Sequence, residues 1–330
     1  QHPGGAAGMT IAPLAAVTGG TGFLGRHVVA ALAAQGWRVR VLVRRECGAE
    51  GLPAEPLRGD LADAAALCRL VSGAQAVVHL AGLTKAHGPA EFLAVNRDGS
   101  ARLAEAVVRA APEARCVLVS SLAAREPHLS PYAASKRAGE RAAVAALGPA
   151  GRWVVLRPSV IYGPGDLEGL LLRRLANSAI VPVPRAPEPR IAMVHARDVA
   201  AAVAALCRSG PLATPWGGTF EVTDARREGY GWRELLRGLA QGLRQRPRFL
   251  EVPDAAMLAA GVAADGWARL TGRSGLFGLG KAREILHRDW GSGAERQLPE
   301  AVWAPRIGFE EGLRDTLAWW ASLGLAPAPG

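Results

Sequence analysis

Three glycines constrain most strongly what this chain can fold into. Gly19, Gly22 and Gly25 stand between an apolar run, Leu14 to Thr18, and a stretch from Phe23 to Gln35 whose apolar residues recur at helical spacing. Glycine permits a tight turn with positive φ, lets backbone N–H groups approach a bulky anion, and lets a helix lie close on a strand. The helix start adds unpaired N–H groups and a partial positive charge. Strand, glycine turn and helix in this order predict a pyrophosphate cradle built from Gly19, Thr21, Gly22, Phe23, Leu24 and Gly25.

Beyond Gln35 the chain keeps the same rhythm. Apolar runs at Val39–Val43, Ala54–Leu57, Ala76–Leu80, Cys116–Val119 and Trp153–Arg157 read as strands, and Ala90–Ala110 and the stretch opening at Pro131 read as helices. Alternation of this kind predicts an α/β fold, a doubly wound parallel Rossmann sheet whose ligands sit at the carboxyl ends of the strands. After about Gly163 the pattern changes, with prolines from Pro182 to Pro189 and tryptophans from Trp216 to Trp320. Residues 9–163 are therefore expected to form the nucleotide-binding domain, with a returning segment near 191–207. Residues 164–330 are expected to supply most of a smaller, interleaved substrate lobe, with the tryptophans in its core. Residues 1–8 read as a tag remnant or disordered leader.

Several segments carry a family resemblance. Thr18-Gly19-Gly20-Thr21-Gly22-Phe23-Leu24-Gly25 resembles the opening of the extended short-chain dehydrogenases, the NAD-dependent epimerase/dehydratase family. Gly59-Asp60-Leu61 resembles the element that meets the adenine, and His79-Leu80-Ala81-Gly82 the strand end beneath the cofactor. Asn96 resembles the helix asparagine that ties the central strands together. Arg157-Pro158-Ser159-Val160-Ile161-Tyr162-Gly163 resembles the segment at the nicotinamide end. The resemblance thus implies Asp60, Leu61, Leu80, Ala81, Gly82, Asn96, Pro158 and Val160 as cofactor-binding positions; His79 also reads as a satisfied core histidine. His195-Ala196-Arg197-Asp198 and the stretch from Trp303 to Trp320 resemble later elements of the same family.

The end of the second strand bears on which nicotinamide cofactor is bound. Relatives that prefer NAD place a carboxylate there to hold the adenosine ribose hydroxyls, whereas this chain has Val43 followed by Arg44 and Arg45. Guanidinium groups match an extra 2′-phosphate, so NADP is favoured over NAD. Glu46 is close by and keeps NAD as the second choice.

Tyr132-Ala133-Ala134-Ser135-Lys136 carries the chemistry. A spacing of four puts Tyr132 and Lys136 on one face of a helix. An isolated phenol has a pKa of about 10, and a neighbouring ammonium brings its proton into catalytic range. Ser121, at the end of Val119-Ser120-Ser121, resembles the family serine that hydrogen-bonds the substrate oxygen, with Ser120 as the adjacent alternative. Catalytic residues Ser121, Tyr132 and Lys136 are expected, with Lys136 also holding the nicotinamide ribose.

The chain departs from the sugar-modifying branch. Only Leu122 to Pro131 separate the serine from the tyrosine, and Leu122 and Ala123 stand where dehydratases carry an acidic pair. Ser120-Ser121-Leu122 and Val39-Arg40-Val41-Leu42-Val43-Arg44 resemble hydroxysteroid dehydrogenases and dihydroflavonol-reductase-like members. The first reading is an NADP-dependent reductase that moves hydride between nicotinamide and a carbonyl or alcohol carbon of a small, apolar or ring-bearing substrate. Two alternatives stand beside it. One is a nucleotide-sugar epimerase that retains NAD(P), with Arg173, Arg174 and Arg190 as candidate diphosphate ligands. The other is a non-catalytic NADP-binding scaffold or redox sensor.

Bulk properties bound the partners. With 330 residues, 49% apolar and 21% charged, the chain can bury a large core, and no apolar run reaches the length of a membrane span. The formal charge of +10 comes from scattered arginines rather than a basic block with interleaved aromatics, which argues against nucleic acid. Cys47, Cys68, Cys116 and Cys207 are too widely spaced for a metal site, and read as reduced thiols in a cytoplasm. The family resemblance implies dimerisation through two helices per subunit, here Ala90–Ala110 and Pro131–Leu147.

Overall fold

The computed structural model describes residues 12–45, 48–208, 216–271 and 277–327, with Arg269 described by its backbone alone. The expected leader at 1–8, Glu46 and Cys47 lie outside these residues.

The first half builds a doubly wound sheet. In chain order it contains β1 (Leu14–Thr18), α1 (Phe23–Ala34), β2 (Arg38–Val43), β3 (Glu55–Arg58), α2 (Ala64–Val71) and β4 (Ala76–His79). Then come α3 (Pro89–Phe92), a π-helical turn (Leu93–Asp98), α4 (Gly99–Ala110), β5 (Arg115–Val119), α5 (Pro131–Leu147) and β6 (Trp153–Pro158). The helix expected across Ala90–Ala110 is thus interrupted by a π-turn at Asn96, a distortion that often accompanies functional sites.

β7 (Val160–Tyr162), α6 (Leu170–Ala176), β8 (Ile180–Pro184), β9 (Arg190–Ile191), β10 (Met193–His195) and α7 (Ala196–Cys207) follow. The remainder comprises β11 (Gly218–Val222), β12 (Tyr230–Gly231), α8 (Trp232–Gly242), β13 (Arg248–Val252), α9 (Asp254–Thr271), α10 (Leu279–Leu286), β14 (Asp289–Trp290) and α11 (Phe309–Ser322).

The main sheet has seven strands in the order β11-β6-β5-β4-β1-β2-β3, every neighbouring pair parallel. Its two faces are covered separately. Ala15 and Val17 of β1 join a core with Val28, Val29 and Leu32 of α1 and much of α7. Leu14 and Ala16 join the opposite core, with residues of α2, α4 and α5. Side chains that alternate between two apolar layers explain why β1 is buried along its whole length. β3, with mostly exposed residues, closes one edge.

Beyond β6 the chain leaves the sheet and returns to it. α7 packs on α1, and β11 pairs with β6. Smaller sheets, β13-β8 and β12-β9-β14, lie with α6, α8 and α11 beside the strand ends. Trp290 and Trp320 are buried in the smaller lobe as expected, but Trp303 packs into the core of the main sheet and Trp267 on α9 is 68% exposed, so both depart from that expectation.

Candidate active site

Where strand order reverses, between β1 and β4, the glycine turn meets the end of β4. Gly19 has φ +73°, and a Cβ there would lie 2.6 Å from the Ala81 nitrogen. A Cβ on Gly25 would lie 2.1 Å from the Gly19 oxygen, so the turn and the first turn of α1 can close only over a bare Cα. Gly22 is the N-cap of α1 and provides no side-chain cap, which leaves the first N–H groups of the helix for an anion. A cradle that a Cβ would fill, with open helix donors behind it, fits a dinucleotide pyrophosphate. Gly25→Ala is therefore expected to weaken binding of the nicotinamide dinucleotide at least about a hundredfold in a fluorescence titration.

On the other wall, Leu80, Ala81 and Gly82 extend from β4 towards α5. A Cβ on Gly82 would lie 3.0 Å from Asn96 Oδ1 and 3.6 Å from Lys136 Nζ. Asn96 fixes this wall: its Oδ1 accepts from Leu83 N (2.7 Å), while its Nδ2 donates to Leu83 O (3.0 Å) and Ser135 Oγ (2.8 Å). Beneath lies a buried chain of bonds. Ser100 Oγ donates to Asn96 O (2.6 Å), so it accepts from His79 Nε2 (2.8 Å), and Nδ1 accepts from Thr18 Oγ1 (2.7 Å). Burial, then the Lys136 charge, lowers His79 to about 3; it is a neutral core histidine with both ring nitrogens partnered.

Other expected cofactor positions lie farther out. Arg44 and Arg45 follow buried Val43 and are exposed at the carboxyl end of β2. Asp60 accepts from the N–H groups of Ala62 (2.7 Å) and Asp63 (3.1 Å), which shapes the loop before α2. Leu61 packs under Gly99. At the end of β6, Pro158 is buried and Val160 exposed.

The structure brings Ser121, Tyr132 and Lys136 together on neighbouring elements. Ser130 caps α5, accepting from Ala133 N at 3.0 Å, and Pro131 fills the first helical position, where no N–H is needed. Tyr132 and Lys136 then follow on one face. Burial pushes the Tyr132 phenol up to about 12, the reverse of the lowering expected from Lys136; a hydrogen bond with Ser121 opposes this, and the carboxylates of Glu284 and Glu168 add to it. Lys136 Nζ donates to Val119 O at 3.1 Å, and burial lowers the ammonium to about 8, against the pull of Glu140. Ser120 turns away from Tyr132. It lines a cavity of about 20 Å³ with Lys136, Asn96, His79 and Glu140, which distinguishes it from Ser121.

Two carboxylates near this group were not expected. Glu140, four residues beyond Lys136 on α5, is held by a two-point fork from Arg157, Nε–Oε1 2.8 Å and Nη2–Oε2 2.6 Å. Burial pushes the Glu140 carboxyl up to about 7, while Ser120, Arg137 and Lys136 act in the opposite sense. The signal was present as an acidic residue at i+4 from the lysine. Glu284 comes from α10 and accepts from Ser130 Oγ at 2.5 Å, a contact across 154 residues that no local pattern announces. By contrast, Arg173 and Arg190 spend guanidinium donors on the backbone carbonyls of Leu325, Glu228 and Gly229.

Fold and site together define an enzyme of the nicotinamide-dependent short-chain dehydrogenase class. The sequence model of the NAD dependent epimerase/dehydratase family matches residues 15–213. The chain is 47% identical over 317 residues, 94% of its length and 96% of the other's, to a protein of Caulobacter vibrioides (strain NA1000 / CB15N) named ceramide reductase. Among solved structures, gox2253 superimposes with a TM-score of 0.76 at 21% identity, covering 96% of this chain and all (100%) of that one. MoeE5 in complex with UDP-glucose and NAD follows at 0.68 and 21%, covering 94% and 99%. The chain belongs to the NAD dependent epimerase/dehydratase family and is an NAD(P)-dependent oxidoreductase.

Proposed function

We propose that this enzyme is an NADP-preferring carbonyl reductase acting on a ceramide-type lipid in which a secondary alcohol carbon stands oxidised as a ketone. One observation carries the reading: a protonated, half-buried Tyr132 next to Ser121 and Lys136, in a chain that shares 47% identity over nearly its full length with a protein named ceramide reductase. Gly19, Gly22, Gly25, Leu80–Gly82, Lys136, Pro158 and Val160 would hold the dinucleotide, which supplies the hydride when bound. The substrate lobe, mainly residues 164–330, would seat the lipid.

The roles of the side chains follow from their environments. A ketone gains negative charge on its oxygen as its carbon is reduced. Ser121 donates a hydrogen bond to that oxygen, and Tyr132, protonated at neutral pH, hands it a proton. Lys136 stabilises the resulting phenolate by charge and holds the ribose. The charge is present only below the ammonium's lowered pKa. Reductive kcat/KM is therefore expected to be flat at neutral pH and to fall as pH rises through about 8. A pH–rate profile of the reduction checks this, and an alkaline limb beginning only near 10 would contradict it.

The 2′-phosphate of NADP is assigned to Arg44 and Arg45. Losing one charge-assisted contact costs about 1.5 to 3 kcal/mol, so Arg44→Ala should weaken NADPH binding by about tenfold or more and leave NADH nearly unaffected. Equal loss for both cofactors would refute the assignment. The full reading is tested by offering NADPH and an N-acylated amino ketone of short chain length, and following NADPH absorbance and the alcohol product. Turnover supports it; tight retention of NAD with epimerising activity on a nucleotide sugar would favour the epimerase instead. The engagement of Arg173 and Arg190 with backbone carbonyls weighs against that alternative. A homodimer through α4 and α5, and a cytoplasmic setting, complete the proposal.

A further inference from the structure

Helix α9 presents its apolar side to solvent. From Ala255 to Leu270, every described exposed side chain is alanine, valine, tryptophan or leucine. Val262 is 56%, Trp267 68% and Leu270 85% exposed, and Ala255, Ala259 and Ala263 complete the face. The opposite side, with Met257, Leu258, Gly261 and Asp265, turns inward. Asp265 accepts from Leu279 N at 3.1 Å, and a Cβ on buried Gly261 would lie 2.9 Å from Leu279 Cα, so α9 and α10 pack closely along that seam. A surface helix usually keeps its apolar stripe for the core and turns polar residues out, whereas α9 is apolar on both faces. Scattered apolar residues on a surface need no explanation, but a continuous face with an indole in it marks an interaction site.

Position and charge indicate what covers it. α10, the inner partner of α9, touches the candidate site: Glu284 holds Ser130, and a Cβ on Gly280 would lie 2.9 Å from Ser130 Cβ. The apolar face is thus the outer surface of the helix pair that borders Tyr132. Exposed cations lie on the neighbouring α10 and the residues that follow it. Lys281 and Arg283 are on α10, and Arg288 reaches Asp254 at the start of α9 (3.7 Å), in a chain of formal charge +10. Apolar residues with an interfacial tryptophan, bordered by Lys and Arg, fit a helix lying in the plane of an anionic bilayer surface.

We propose that α9 is a membrane-docking surface, which seats this enzyme on an anionic lipid bilayer with the bordering face of the catalytic site towards the lipid. The proposal rests on the lipid-ketone reading above for its purpose, but not for its test. A substrate with long acyl chains resides in the bilayer, and an enzyme docked beside its site can take it up without passage through water. No helix among the described residues is long and apolar enough to cross a membrane, so the attachment is peripheral.

The test is flotation of the full-length protein with vesicles of phosphatidylcholine alone and of phosphatidylcholine with phosphatidylglycerol. Wild type is expected to float with the vesicles, more strongly with phosphatidylglycerol. Trp267→Asp together with Leu270→Asp should lower partitioning by at least about tenfold, with the melting temperature, NADPH affinity and turnover of a water-soluble short-chain ketone unchanged. Wild type that stays at the bottom of the gradient overturns the proposal, as does a double variant that floats equally well. Self-association in sedimentation equilibrium that the two substitutions abolish would assign the face to a second copy of the chain and also overturn it. Flotation that depends on α9 without turnover of any lipid ketone would uphold docking and refute the substrate reading.

Discussion

Tyr132→Phe should lower kcat for reduction by about a thousandfold, within the range that a positioned acid contributes, and leave affinity for the nicotinamide cofactor within a factor of about two. The ring would stay where it is, half-buried near Phe92 at 6.0 Å between centroids, so the fold loses only the phenol oxygen and its contact with Ser121. Ser121 retains the hydrogen bond that its oxygen accepts from Ala123 N (3.2 Å), which keeps it in place. The loss should therefore appear in kcat, because the proton is needed only as charge develops on the substrate oxygen. Single-turnover reduction of bound ketone separates this step from product release. Turnover within about tenfold of wild type would remove Tyr132 from the chemistry, and would revive the reading of the chain as a nicotinamide-binding scaffold.

The parts of this site that were legible in the sequence are those in which local geometry and chemistry coincide. Gly19 and Gly25 had to be glycine because the turn brings backbone within 2.1–2.6 Å of where a Cβ would stand, and that need shows in the sequence as spacing. Tyr132 and Lys136 share a helix face by their separation alone. Asn96 was placed by resemblance, but its π-turn carries no sequence signature comparable to a proline or a glycine. Contacts formed across long stretches of chain were not legible. Glu284 reaches Ser130 from 154 residues away, and β11 joins the sheet after a long excursion through the second lobe. Trp267 misled for a different reason. In a helix so rich in alanine, apolar residues occur all round, and only packing against α10 shows that Gly261 and Asp265 face inward while Trp267 faces out.

The second large effect is expected at Arg157, away from the substrate. Its fork onto Glu140 joins β6 to α5 beneath Lys136, with both side chains nearly out of water. Arg157→Met fills similar space but leaves the carboxylate with Arg137, a half-buried ion-pair partner at 3.2 Å, and the weaker pull of Ser120 and Lys136. Breaking one side of a buried pair typically costs about 3 to 5 kcal/mol, so the midpoint of urea unfolding should fall sharply. Removing both charges should cost less. Glu140→Leu with Arg157→Met is expected to recover most of the loss, since an apolar pair of similar volume avoids desolvation altogether. The pH dependence has a definite sign. Burial already holds the Glu140 carboxyl up at about 7, and without Arg157 it must rise further. The folded variant then takes up a proton at a pH where the unfolded chain does not. Its deficit relative to wild type should shrink as pH falls below 7 and grow as pH rises through it. A deficit of constant size between pH 5 and 8 would mean that Glu140 finds another cation or water in the variant, and that the fork orients α5 without being its main support.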